Sequence, residues 1–306
     1  MNQTCKKRLT RFVTDLGVEP DAARKTLLSL SDLANAFRVF NGAAKDAAPL
    51  LSQLIRILRQ AMPQIIPLSH ALDFLELDLA QGLASDKKDA MRVIEHRMDQ
   101  AERTCDALAE QGIRHIAGSE TIYVHAAGEG LFRLLAKASC HLSFRVCVAD
   151  HNPDQVSRVR AALKGTDVCI DIAGPDQSSG GLGSADKLFF GPVPVTGDRK
   201  CVAPAGTSDL IRCCRQRHIP VYLFADTLHY TRTNALDLPV FRGEGGAGWP
   251  RAQEVLGLDQ VDHWITELGE VSRNGRVLTA PLPSCPEKAQ DRLALPGNLG
   301  MPIPVC

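Results

Sequence analysis

The sequence predicts an α/β fold, with a helical N-terminal region followed by a mostly parallel sheet covered by helices on both faces. Two observations carry this. Between Glu120 and Arg232, short continuous apolar runs alternate with helical segments, and turn residues recur at the run ends. Before that stretch, apolar residues recur at the three-to-four-residue spacing of helices instead. Strands that are apolar throughout are buried on both faces, which a parallel sheet under helices requires.

The first strand is expected at Thr121–His125, running through Ala126, Ala127, Gly128, Glu129 and Gly130 into a helix that begins near Leu131. The second runs from Phe144 to Ala149. Pro153 then opens a helix to about Leu163, a favourable first-turn residue because proline has no N–H to leave unsatisfied. A third strand follows at Val168–Ile172 and a fourth at Lys187–Phe190. Gly206 and Thr207 start a helix ending around His218, and Pro220–Phe224 is the fifth strand. In the N-terminal region, Leu51, Leu54, Ile55, Ile57 and Leu58 mark a helix over Leu50–Met62. Met91, Ile94, Met98, Ala101, Cys105 and Leu108 mark another over Asp89–Gln111. Pro63, Pro67 and a turn at Gly42 punctuate these helices, and Gly112 and Gly118 bracket the passage into the sheet. The expected organisation is a helical domain over residues 1–118, a sheet domain over 119–280 and a proline-rich tail over 281–306.

A chain of 306 residues can bury a full core. Its 35 basic and 35 acidic side chains balance, so no global field favours nucleic acid or acidic lipid. The cluster Arg212, Arg215, Arg217 and His218 has no interleaved aromatic residues for base stacking and reads as an exposed helix face. No apolar run is long enough to span a bilayer, and the stretch from Met1 to Arg11 is polar and basic, so a cytoplasmic location without membrane contact is expected. The ten cysteines are scattered through a long chain without a C-x-x-C pair, which argues against a disulfide framework or zinc. Cys147 and Cys169 read as small apolar core residues, and Cys201, Cys213 and Cys214 as structural thiols rather than nucleophiles. No cofactor or metal is expected.

Several motifs in series carry a resemblance. Gly118–His125 (GSETIYVH), Val146–Pro153 (VCVADHNP) and Ala185–Gly191 (ADKLFFG) are followed in order by Gly206-Thr207, by Ile219–Tyr222 (IPVY) and by Ala225–Tyr230 (ADTLHY). Val261–His263 and Ile265–Val271 (ITELGEV) close the series. Together these resemble the family of the alpha, beta and delta subunits of eukaryotic translation initiation factor 2B, which also holds ribose-1,5-bisphosphate and 5-methylthioribose-1-phosphate isomerases. The resemblance implies a Rossmann-like sheet domain, a homo-oligomer of two or more copies or a protein partner, and a strand-end cleft for a sugar phosphate or a nucleotide-derived ligand. Gly128, Gly130, Asp150, Asn152, Gly206, Thr207 and Asp226 are the ligand-binding candidates.

Four departures limit what the resemblance implies. The isomerases' cysteine after the first-strand His is Ala126 here, and the position of their aspartate falls on Val193. Asn152 stands where they have an arginine, and Ala203-Pro204 replaces Asn-Lys before the Gly-Thr. Moving hydrogen between adjacent carbons of a sugar phosphate needs one group to take a proton and another to return it, each within hydrogen-bond reach. A methyl and an isopropyl group do neither, and each lost acid or base costs ~10² to 10⁴ in rate. Glu129, His125 and Asp226 are the candidates for rebuilt chemistry, although Glu129 also suits the positive end of a helix dipole. Of the glycine-rich segments, Gly180–Gly183 lacks the ending of a phosphate loop and reads as a turn. Gly243–Gly248 with Trp249 reads as a surface excursion, with Trp249 either an interface anchor or a capping contact. Gly206-Thr207-Ser208 is the better anion candidate, because free N–H groups at a helix start attract negative charge. The sequence therefore favours a non-catalytic regulatory or scaffold protein, with a sugar-phosphate isomerase of rebuilt active site as the alternative.

Overall fold

The computed structural model describes residues 21–149, 153–174, 181–191, 194–241 and 253–271. The candidates Asp150 and Asn152, Val193, the segment around Trp249 and the tail from Pro281 lie outside the described residues. The chain divides into two compact units. One runs through Arg103 and takes in the segment from Asp237; the other comprises Thr104–Leu236 and the residues from Arg251.

The first unit is helical: α1 (Ala22–Arg38), α2 (Ala47–Ala61), α3 (Ile66–Ala80) and the first part of α4 (Lys87–Ile113). Asp21 starts α1 as an N-cap, its carboxylate accepting from the N–H groups of Ala23 at 2.9 Å and Arg24 at 3.3 Å. Pro67 sits in the first turn of α3, where its missing N–H costs nothing. Leu30, Leu33 and Phe37 of α1 close a core with Leu51, Ile55 and Leu58 of α2 and Leu68 and Leu72 of α3. Into that core Asp78 brings a carboxylate whose oxygens both accept from Arg97 Nη2 at 2.8 Å, and the guanidinium lies 5.0 Å from the Phe74 ring centroid.

The second unit holds the parallel sheet. Its strands are β1 (Thr121–His125), β2 (Arg145–Ala149), β3 (Cys169–Ala173), β4 (Lys187–Phe190), β7 (Val221–Phe224), β10 (His263–Thr266) and β11 (Gly269–Val271), in the order β11-β10-β7-β4-β1-β2-β3. All neighbours run parallel except the edge pair β10–β11. Two helices, α5 (Glu129–Ser139) and α6 (Pro153–Ala162), supply Leu131, Leu134, Leu135 and Val159 to the face that carries Ile122, Val124, Val146 and Phe189. On the other face, Tyr123, Cys147, Leu188 and Leu223 meet Ile211 and Cys214 of α7 (Thr207–Gln216).

That second face is shared with a structure the sequence did not announce. Strands β5 (Val195–Thr196), β6 (Lys200–Pro204), β8 (Tyr230–Thr231) and β9 (Gln253–Gly257) form a four-stranded sheet in the order β8-β5-β6-β9. Its Val195, Cys201 and Leu256 enter the same core. Two expectations also need correcting at the opposite edge. The third strand is not buried on both faces, and Cys169 is exposed rather than a core residue. Both follow from β3 being the outermost strand, where no neighbour covers its flank.

The buried ion pair of the first unit makes a direct test. Arg97→Ala would leave the Asp78 carboxylate uncompensated, and such losses cost about 3–5 kcal/mol. Urea unfolding followed by circular dichroism should show that loss, whereas Arg59→Ala, at a more exposed pair with Glu76, should change stability by under ~1 kcal/mol.

Candidate functional site at the carboxyl ends of the sheet

The chain order of the strands reverses between β1 and β4. After β1 the sheet grows to one side through β2 and β3, then resumes on the other side with β4, β7 and β10. Ligands of open α/β sheets bind at the carboxyl ends beside such a reversal. His125 ends β1 at that point and Phe190 ends β4. Gly191, the next residue, has φ +125°, and a Cβ there would meet the Phe224 carbonyl oxygen, so glycine is required by conformation and by contact.

The loop after β1 is braced from beneath. Gln155, buried in α6, donates through Nε2 to the Val124 carbonyl at 2.9 Å and accepts from the Ala127 N–H at 3.3 Å. Ala126 is held at φ +48°, a left-handed conformation that disfavours a residue with a Cβ. Gly128 caps α5 with extended backbone. Gly130 serves packing: a Cβ there would come within 2.7 Å of Leu108 Cδ2.

The charged candidate of this loop is engaged. Glu129 Oε1 accepts from Arg133 Nε at 3.0 Å and Oε2 from Arg158 Nη2 at 3.3 Å. The Arg158 guanidinium also stacks 4.3 Å from the Phe132 ring centroid. Both carboxylate oxygens are thus engaged by guanidiniums, and Glu129 opens the first turn of α5.

His125 reaches across to the start of α7, with Nε2 2.9 Å from Thr207 Oγ1. Thr207 is fully buried, and its hydroxyl donates to the Pro204 carbonyl at 2.6 Å. With its single proton spent there, Thr207 can only accept from His125, which fixes the imidazole as the Nε2–H tautomer. Gly206 adopts φ +94° with open space around it, so it gives α7 its entry turn through conformation alone.

The expected anion position at this helix start is filled by the chain itself. Ser208 donates from its backbone N–H to Glu254 Oε1 at 2.7 Å and from Oγ to Oε2 at 2.7 Å. Glu254 is placed by the pairing of β6 with β9, which sets it opposite Ala203. A carboxylate thus occupies the N–H group and dipole that would have met a phosphate.

Beyond β7, Asp226 is buried and caps a short turn over Thr227–His229. Its Oδ1 lies 2.6 Å from His229 Nδ1 and accepts from the His229 N–H at 3.2 Å. Glu267, in the turn between β10 and β11, accepts from the Thr227 N–H at 3.0 Å and from the Thr227 hydroxyl. Burial of that carboxyl, with the negative charge of Asp226 nearby, pushes it up to about 7. The sequence reading named Asp226 and missed Glu267 and Glu254. The thiols on this side are inert, since burial raises Cys201 and Cys214 to about 12 and keeps both protonated. Among the described residues no group of His, Cys, Asp and Glu side chains is arranged to hold a metal, and no helix is long and apolar enough to cross a membrane.

A Rossmann-like sheet with one reversal, an antiparallel edge hairpin and a preceding helical unit define the class of protein. A family model described as the initiation factor 2 subunit family matches residues 17–246, and the chain belongs to that family. Among solved structures, translation initiation factor 2B of Pyrococcus horikoshii superposes with a TM-score of 0.68 at 18% identity, over 87% of this chain and 97% of that one. The delta subunit of the factor from A. fulgidus gives 0.62 at 15% identity, over 86% and 88%. A tetrameric complex of two beta and two delta subunits from C. thermophilum gives 0.64 at 16%, over 89% and 91%. At these identities the likeness is one of fold. No curated protein matches the sequence significantly.

The internal cap can be measured. Glu254→Ala removes two hydrogen bonds to a charged acceptor, each worth about 1.5–3 kcal/mol, and exposes the start of α7. Urea unfolding should show a loss of at least about 1.5 kcal/mol, of which Glu254→Gln restores part by keeping an acceptor for the Ser208 N–H.

Proposed function

We propose that this chain is a non-catalytic member of the initiation factor 2 subunit family, acting as a scaffold or regulatory subunit within an oligomer. The observation that carries the reading is the state of the charged groups around the β1–β4 reversal. Glu129 is committed to Arg133 and Arg158, Ser208 to Glu254, and Asp226 to His229. The proton-moving cysteine position of the isomerases carries the methyl group of Ala126. Proton transfer between sugar carbons requires an acceptor that is poised near the working pH and within reach of the substrate. Both oxygens of Glu129 are already bonded to guanidiniums. An isomerase would have to break at least one of these contacts before its first step.

Assembly is the role that remains for a fold kept without this chemistry, and the tetrameric complex of beta and delta subunits supports it by analogy of fold. A phosphorylated metabolite can join this picture only by displacing Glu254 from Ser208. Binding would then depend on that carboxylate.

Two measurements test the proposal. Purified protein should show no isomerisation of phosphorylated pentoses above buffer, and light scattering should give a mass of at least two chains. Turnover that disappears in Glu129→Gln would overturn the non-catalytic reading. In a thermal scan, a sugar phosphate at 100 times its Kd would add ~2.7 kcal/mol to the native state. No shift is expected for the parent chain, and any shift should grow in Glu254→Gln.

A further inference from the structure

We propose that the outer face of α2, with the adjoining edge of α3, is a docking groove for an acidic peptide segment of a partner protein. The groove has a volume of about 560 Å³ and is lined by Pro49, Ser52, Gln53, Arg56 and Arg59 of α2 and by Glu76 of α3. It belongs wholly to the helical unit. Helical spacing produces it: Leu50, Leu51, Leu54, Ile55 and Leu58 turn one side of α2 into the core, which leaves the lining residues of that helix together on the other. The groove shares no residue with the strand-end cleft, so docking here is independent of what the cleft does.

The groove is rich in donors with unused capacity. Among the described residues, no hydrogen bond or ion pair engages the side chain of Ser52, Gln53 or Arg56. Arg59 is fixed in place, with Nη2 3.0 Å from both Asp73 Oδ1 and Glu76 Oε2, while its Nε and Nη1 hydrogens take no part in that bridge. The bridge ties α2 to α3. It also puts the one acidic lining group, Glu76, on the α3 side, and leaves an uncompensated guanidinium about one turn earlier on α2.

A guanidinium presents a planar fork of N–H groups that matches a carboxylate, so Arg56 selects an acidic side chain, with the Ser52 hydroxyl and the Gln53 amide beside it for peptide groups. From Pro49 to Arg59 the helix axis advances about 15 Å, the length of four or five extended residues. An open groove of that length suits an extended chain, whereas sites for compact ligands are enclosed and mostly apolar. The lining is polar apart from Pro49, which also disfavours an amphipathic helix as occupant. Glu76 sets the direction. Its Oε1 lies outside the bridge to Arg59, so the peptide runs with its carboxylates on Arg56 and an amino or other cationic group towards α3.

Fluorescence polarisation with the full chain tests this. A tetraglutamate peptide with a free amino end and a fluorophore at its carboxyl end should bind saturably at about 50 mM salt and weaken as salt rises. Tetraglutamine and tetralysine peptides should not bind. Arg56→Glu should lower the affinity at least about tenfold, and Arg56→Lys should retain part of it. Arg56 is exposed, so both variants should keep the thermal unfolding of the parent chain, with Arg56→Gln used if the reversed charge unfolds the helix. Arg212→Glu makes the same change of charge on the exposed side of α7 and should leave the affinity within about twofold. Absence of saturable binding by the parent chain, unchanged affinity in the folded Arg56 variant, or an equal loss in Arg212→Glu would each overturn the groove as a docking site.

Discussion

The contact between Glu254 and Ser208 decides what the carboxyl end of this sheet can do. A helix start is the one place in an α/β fold where backbone N–H groups and the helix dipole favour an anion without any cationic side chain. Here that place is taken by a carboxylate fixed by strand pairing, with both oxygens engaged at 2.7 Å. Strand β9 owes its position to β6, and β6 leads through Pro204 to α7, so the small sheet and the helix are tied at one point. Pro204 brings no cation to this helix start, and the Glu254 carboxylate sits beside it. Both features oppose phosphate, and the second also stabilises the fold.

The loop after β1 holds a demanding conformation. Ala126 remains at φ +48°, which costs a residue with a Cβ of order 1 kcal/mol or more. The surroundings impose it: Gln155 holds Val124 on one side of the bend and Ala127 on the other, and Gly130 sits against Leu108. A loop constrained on both sides by the core cannot relax when one side chain in it changes. The path of the backbone therefore persists as a property of packing, and its presence says nothing of activity.

Legibility in the sequence tracked the range of the forces involved. Val146–Ala149, Lys187–Phe190 and Val221–Phe224 were readable because burial on both faces leaves an uninterrupted apolar run. Helices α2 and α4 were readable from their apolar spacing. The four-stranded sheet was not, since β5 and β8 are two residues each and β6 pairs with β9 across some fifty positions of intervening chain. No local pattern marks Lys200–Pro204 as a strand, and without it Glu254 has no visible destination. Cys169 was misplaced for a related reason: an apolar run identifies a strand, but only the strand order shows which strand lies at the edge. The roles of Glu129 and Asp226 were half legible, because position at a strand end is local whereas Arg158 and Glu267 arrive from elsewhere in the chain.

The ionisable groups of this unit lie in contrasting settings. Glu129 is held by two guanidiniums, and Glu254 by an N–H group and a hydroxyl. Glu267 and His115 are in the reverse situation, since burial disfavours charge on each and neither has a fully compensating partner. Both touch the same peripheral hairpin, at its two ends. A central strand could not host such groups without jeopardising the sheet, because opening it would break pairing on both sides. An edge hairpin breaks pairing on one side only, so its opening draws on a fraction of the global stability. The strand order thus sets both where the carboxyl-end loops converge and which element lies at the sheet's edge.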